Sequence, residues 1–182
     1  MSAIEIEIQR PYRRARVWLV DRPLLTPIAV RTIEEEVDTS AAGAFGRRLA
    51  VVELMVAAGA RALYALSGAE FTPLESRRCK IQLEVCEEQT PIQPWALVAS
   101  FDEVRAGLPA EFAVAVMNEL RDVGRSLGGG VLRGGPFAHA GAGSSPHFFR
   151  FVTHLVGELL LREPSTLSME AIEQILSSPL SP

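Results

Sequence analysis

Ile4-Glu5-Ile6-Glu7-Ile8 alternates strictly between aliphatic and acidic side chains, which is the period of a strand with one wet face. Arg16–Val20 is a nearly continuous apolar run and predicts a more buried strand. Pro23 and Pro27 then break regularity, and Thr32–Asp38 is an acidic surface stretch. From Ser40, a suitable N-cap, the spacing predicts a long helix to about Leu66. Leu49, Val52, Val56 and Leu63 line one side of it, while Val51, Leu54 and Met55 lie elsewhere. It is therefore apolar most of the way round, as a central core helix or a subunit interface would be. Ser67-Gly68 ends it.

Ile81–Val85 alternates again, and Ala96–Phe101 reads as a fourth strand after Pro91 and Pro94. Pro109 opens a helix to about Ser126, because its missing N–H costs nothing in a first turn. Phe112, Val116, Leu120 and Val123 line one face of that helix; Glu111, Asn118, Asp122 and Arg125 line the other. Gly128–Gly130 stops it, and a loop or short strand runs to Gly143. Ser144 or Ser145 caps a helix to about Leu161 with Pro146 in its first turn. A short helix over Ser168–Ser177 precedes a Pro-rich tail. The expected fold is α/β (α+β): a two-layer sandwich, a mixed or antiparallel sheet of about four strands, helices on one face and the other face wet. A single domain accommodates the whole chain.

Composition narrows this further. The chain has 182 residues, 48% hydrophobic and 22% charged, which suits a folded domain. The net charge of −4 calls for no large nucleic-acid footprint. Of 18 basic residues only Lys80 is a lysine, a bias of GC-rich genomes, so no arginine is functional merely for being arginine. Cys79 and Cys86 are too far apart along an extended chain to bridge, so they read as buried thiols of a reducing cytoplasm. No secretory signal is visible, and the most apolar segment, Leu49–Leu66, carries Glu53 and Arg61; no membrane association is expected.

Leu108-Pro109-Ala110-Glu111-Phe112 and the helix it opens resemble the first helix of domain IV of translation elongation factor G. In that family the helix ends at a glycine followed by a Leu-x-Gly-x-Pro loop. Here Gly128 precedes Leu132-Arg133-Gly134-Gly135-Pro136. His139, Ser144-Ser145 and Phe148 or Phe149 follow in similar order, and Lys80–Val85 and Ala96–Phe101 stand where the preceding strands would. The resemblance covers about residues 80–161. The strand before the histidine is largely missing, Ala142-Gly143 replaces an acidic residue, and residues 1–76 have no place in it. It implies the ribosomal protein S5 domain 2-like fold and a domain that binds RNA at the ribosomal decoding site through loop tips. No GxxxxGK[ST] loop is present, so the family's GTPase is absent.

Three constellations could carry chemistry. At 100° per residue His147, Arg150, His154 and Glu158 fall on one stripe of the last long helix, where His154 and Glu158 at i, i+4 could share a metal or a proton with His139. The competing reading is a solvated face. The Gly-rich stretch from Gly128 to Gly143 is either a plain connection or a recognition loop with Arg133 at its centre; as a helix C-terminus precedes it, it does not suit a phosphate cradle. Arg10, Arg13, Arg14 and Arg16 with Tyr12 form the only basic cluster, either an RNA contact or a charged hairpin edge. The expectation is a non-enzymatic binding or assembly module without cofactor or bound metal. It would bind a protein partner or itself, or associate with RNA or the ribosome, through Arg133, His139, Arg10, Arg13 and Arg14. The alternative is a small metal-dependent or acid/base enzyme using His139, His154 and Glu158.

Overall fold

The computed structural model describes residues 4–9, 12–25, 27, 30–39, 45–59, 61–86, 93–100 and 102–179. Its elements are β1 (Ile4–Gln9), β2 (Tyr12–Trp18), β3 (Val30–Asp38), β4 (Arg48–Ala58), β5 (Arg61–Pro73), β6 (Arg78–Cys86), β7 (Val104–Ala106), α1 (Ala113–Leu127), β8 (Gly130–Ala140), α2 (Pro146–Leu161) and α3 (Met169–Leu176). The strands form one eight-stranded sheet, not one of about four, in the order β1-β2-β4-β5-β8-β6-β3, with β7 on β8. Every pairing is antiparallel except β6 with β8, which are parallel and joined through α1. The mixed α/β class holds.

The largest correction is the long helix. Residues 48–73 form the hairpin β4–β5, in register from Arg48↔Phe71 to Ala58↔Arg61, turning at Gly59 with φ 64°. The physical reason is burial on both faces. Val52, Leu54 and Val56 point to the side covered by α1 and α2, and Val51 and Met55 to the other side. A strand buried on both faces has no period of two, so it mimics a helix that is apolar all round. This run therefore offers no helix face for a subunit contact. Ser40 lies outside the described residues, and Ser67-Gly68 falls inside β5 at a register shift.

Two more expectations change. In place of a strand over Ala96–Phe101, residues 96–100 form a bend and turns, and Phe101 lies outside the described residues. Ala96, Leu97 and Val98 cover Trp18, Val51, Met55, Tyr64 and Leu66 on the outer side of the sheet. The Gly-rich connection is the interior strand β8. Its glycines serve close approach: a Cβ at Gly130 would lie 2.5 Å from the Thr72 carbonyl oxygen, and one at Gly134 would lie 2.8 Å from Leu120 Cδ1. Leu132–Pro136, read as a loop in the elongation-factor comparison, is part of this strand, and His139 follows on the same strand.

The helices follow the pattern closely. Ser145 Oγ accepts from Phe148 N with Pro146 in the first turn, and Ser168 caps α3. Val116, Leu120 and Val123 of α1 and Val152, Leu155, Val156 and Leu159 of α2 are buried in the main core. Two strand arginines hold helix C-termini, where carbonyls lack partners and the dipole favours cations. Arg13 donates to Leu176 O (2.5 Å) and Ser178 O (2.9 Å) after α3. Arg48 donates to Leu160 O (2.8 Å) and Arg162 O (2.6 Å) after α2. Among the described residues no helix is long and apolar enough to cross a membrane.

Candidate functional site

The expected site residues do not converge. His139 lies on β8 with its ring edge-on to Phe112 and its Nδ1 3.1 Å from Gly107 O. Burial lowers its pKa. It faces a cavity lined by Arg105, Glu111, Ser144 and Ser145, and neither His154 nor Glu158 lines that cavity. His154 sits on the exposed stripe of α2, its Nδ1 3.4 Å from Glu119 of α1, the same carboxylate that accepts from Arg150 Nε at 2.7 Å. Glu158 lies 3.9 Å from Arg162. The stripe thus links α2 to α1, and no group of three metal-ligating side chains exists among the described residues. Ser144 donates to Tyr64 O and Ser145 caps α2, so both hydroxyls have structural partners.

The arginine cluster divides by strand alternation. Arg13 points to the helix side, is 2% exposed and lies over the Phe151 ring, so it is unavailable to RNA. Arg14 and Arg16 point to the outer side with Tyr12. Arg16 is held by Glu5 (2.9 Å), Glu53 (3.3 Å) and Trp95 O (2.9 Å). Arg10 lies outside the described residues.

The outer side of the sheet is built in two parts. Under the 93–100 segment lies Glu53, fully buried, accepting from Tyr64 Oη (3.0 Å) and Leu97 N (2.8 Å) and paired with Arg16. Burial raises its pKa against the pull of those donors, and burial together with the Glu53 charge raises that of Tyr64. This network is what holds the cover down. It was visible only as a lone acid inside the apolar run Leu49–Ala57. Both cysteines are buried and unpaired, and burial pushes the Cys79 thiol up to about 11.

Beyond the 93–100 segment the outer face of the sheet is polar. One row crosses four strands, Glu70 (β5), Arg133 (β8), Gln82 (β6) and Glu34 (β3), each opposite the next in register. Arg133 Nε donates to Gln82 Oε1 (2.9 Å), and Gln82 Nε2 donates to Glu34 Oε1 (2.7 Å). Lys80 lies 2.8 Å from Glu34, and Arg78 3.3 Å from Glu36, in the same face. The segment around Leu24, which is 78% exposed, borders a cavity shared with Arg133, Glu70 and Glu84. Arg133 thus sits on an interior strand at the edge of that cavity rather than on a loop. Comparison with family models, curated proteins and solved structures finds no match to this chain.

Proposed function

We propose that the chain is a non-enzymatic binding or assembly module that docks a protein partner on the open half of its outer sheet face, centred on Arg133. The observation that carries this reading is the outer-face row Arg133–Gln82–Glu34, pre-ordered by side-chain hydrogen bonds, with Glu70 held by Arg47 at one end and the exposed Leu24 at its border. An ordered polar platform beside an apolar anchor has the makeup of a protein interface. Charges of both signs are interspersed on this face, Glu34, Glu36, Asp38, Glu70 and Glu84 with Arg22, Arg47, Arg78, Lys80 and Arg133, and such a mixed surface suits a protein partner of complementary charge pattern better than a run of phosphates. A photocrosslinking residue at position 133 tests the reading directly, because partner adducts should form there and not on the far side of the molecule.

A second reading rests on the order of elements. A strand, a helix opened after Pro109, a strand parallel to the first and a second helix capped by Ser145 follow the order that the elongation factor G domain IV resemblance implies. Under it the partner is the ribosome. Co-sedimentation with ribosomes at low and high salt tests it, and loss of the chain from the ribosomal pellet at every salt concentration would end it.

A further inference from the structure

The sheet ends at β1 on one side and at β3 on the other. β3 pairs with β6 along its whole length, from Val30↔Cys86 to Asp38↔Arg78, and no strand among the described residues lies on its other side. In an antiparallel ladder every second residue turns its N–H and C=O away from the neighbouring strand. The outer edge of β3 therefore carries a row of backbone donors and acceptors over nine residues, a template for a further strand. The row Arg133–Gln82–Glu34 leaves the sheet at this same edge, so a strand added there would continue the docking face.

The two faces of β3 define what such a strand would carry. Ile33 and Val37 turn to the helix side and pack on the main core, and Glu35 on that side accepts from Arg121 of α1 at 2.7 Å. Glu34, Glu36 and Asp38 turn to the outer side and are exposed. Lys80 lies 2.8 Å from Glu34, while the one guanidinium of Arg78 serves both Glu36 (3.3 Å) and Asp38 (3.5 Å). Three carboxylates thus meet two cations. A carboxylate has about four acceptor sites, and none of these three is filled. The charges also decide against a second copy of this chain. Its β3 would set Glu34, Glu36 and Asp38 against themselves, and its β1 would bring Glu5 and Glu7 to them. Like charges directly opposite each other destabilise a strand pair.

We propose that the protein partner adds an extended segment to the β3 edge as a further strand, with Lys or Arg at alternate positions opposite Glu34, Glu36 and Asp38 and aliphatic side chains between them, beside Ile33 and Val37. The backbone ladder supplies affinity and the alternating side chains supply selection. The acids that keep two copies apart are then the ones that select a basic strand. This inference rests on the protein-docking reading and names the segment that docks.

A capped nine-residue peptide alternating lysine with valine, titrated into the full chain and followed by residue-resolved amide hydrogen exchange, tests this. Saturable binding is expected, with protection rising at every second amide of Val30–Asp38 and unchanged in β1. A peptide alternating glutamate with valine should not bind. Glu36→Lys and Asp38→Lys should each weaken binding about fivefold, and Glu158→Lys on α2 should change nothing. Thermal melts identify any variant that fails to fold; Asp38 has a side chain 91% exposed, so Asp38→Lys decides if Glu36→Lys is unstable. No saturable binding of the lysine peptide, protection that rises elsewhere than in β3, or undiminished binding by folded Asp38→Lys would overturn the proposal. Crosslinking of a partner at position 133 with no gain of β3 protection would leave the docking face standing and remove strand addition, which tells the two failures apart.

Discussion

Tyr64 donates its hydroxyl proton to Glu53 at 3.0 Å, between neighbouring strands and beneath the 93–100 cover, where neither side chain reaches solvent. Because burial raises the Glu53 pKa above the ordinary 4.5, the native state holds the proton more tightly than the unfolded chain does. The contribution of this group to stability is thus largest at low pH and falls as pH rises through the elevated native value. Glu53→Gln removes that dependence. Unfolding by urea at a series of pH values should show the wild-type advantage over Glu53→Gln shrinking from about pH 4 upward and then levelling. A difference that grew with pH would contradict the assignment. Glu53→Ala strands Tyr64, Leu97 N and Arg16 together and should cost about 3 kcal/mol.

Arg13 ties the last helix to β2. Arg13→Ala removes two hydrogen bonds to carbonyls after α3 and the contact with Phe151. A loss of about 2–3 kcal/mol follows, or roughly 5–10 °C in melting temperature for a chain of this size. Hydrogen exchange should locate the change, with α3 amides losing protection before those of α1. Unaltered α3 exchange would show that the clamp is dispensable.

Gly157 sets two opposing effects against each other. Alanine gains about 1 kcal/mol in a helix interior, but a Cβ at position 157 would lie 2.4 Å from Val123 Cγ2 on α1. Overpacking of a stiff β-branched neighbour costs about 1–3 kcal/mol, so Gly157→Ala should destabilise by up to about 2 kcal/mol. The double variant with Val123→Ala should recover part of that loss in a mutant cycle, and strict additivity would refute the clash.

The second half of the chain was legible because its signals are local. Pro109, Gly128, Ser145-Pro146 and Ser168 mark helix ends, and the buried faces of α1 and α2 show the expected period. The first half misled because β4 is buried on both faces, a tertiary fact that a single sequence hides. The cover over Glu53 looked like a strand for the same reason: Ala96, Leu97 and Val98 are apolar, but what they satisfy lies about forty residues upstream. Of the candidate site, Arg133 and Arg14 stand on the outer face. Arg13 drew attention as part of a basic cluster, yet strand alternation turns it inward, one residue from a neighbour that faces out. His139, His154 and Glu158 share a sequence neighbourhood and no common cavity.

The central claim is that the open sheet face docks a protein partner, and site-directed photocrosslinking in producing cells tests it most directly. A photoreactive residue replaces Arg133 in one chain and exposed Arg150, on the helix side, in another. A discrete adduct from position 133, identified by mass and rebound in purified form by the unmodified chain but not by Arg133→Glu, is the expected result. Adducts from both positions alike, none from position 133, or equal binding by Arg133→Glu would contradict it.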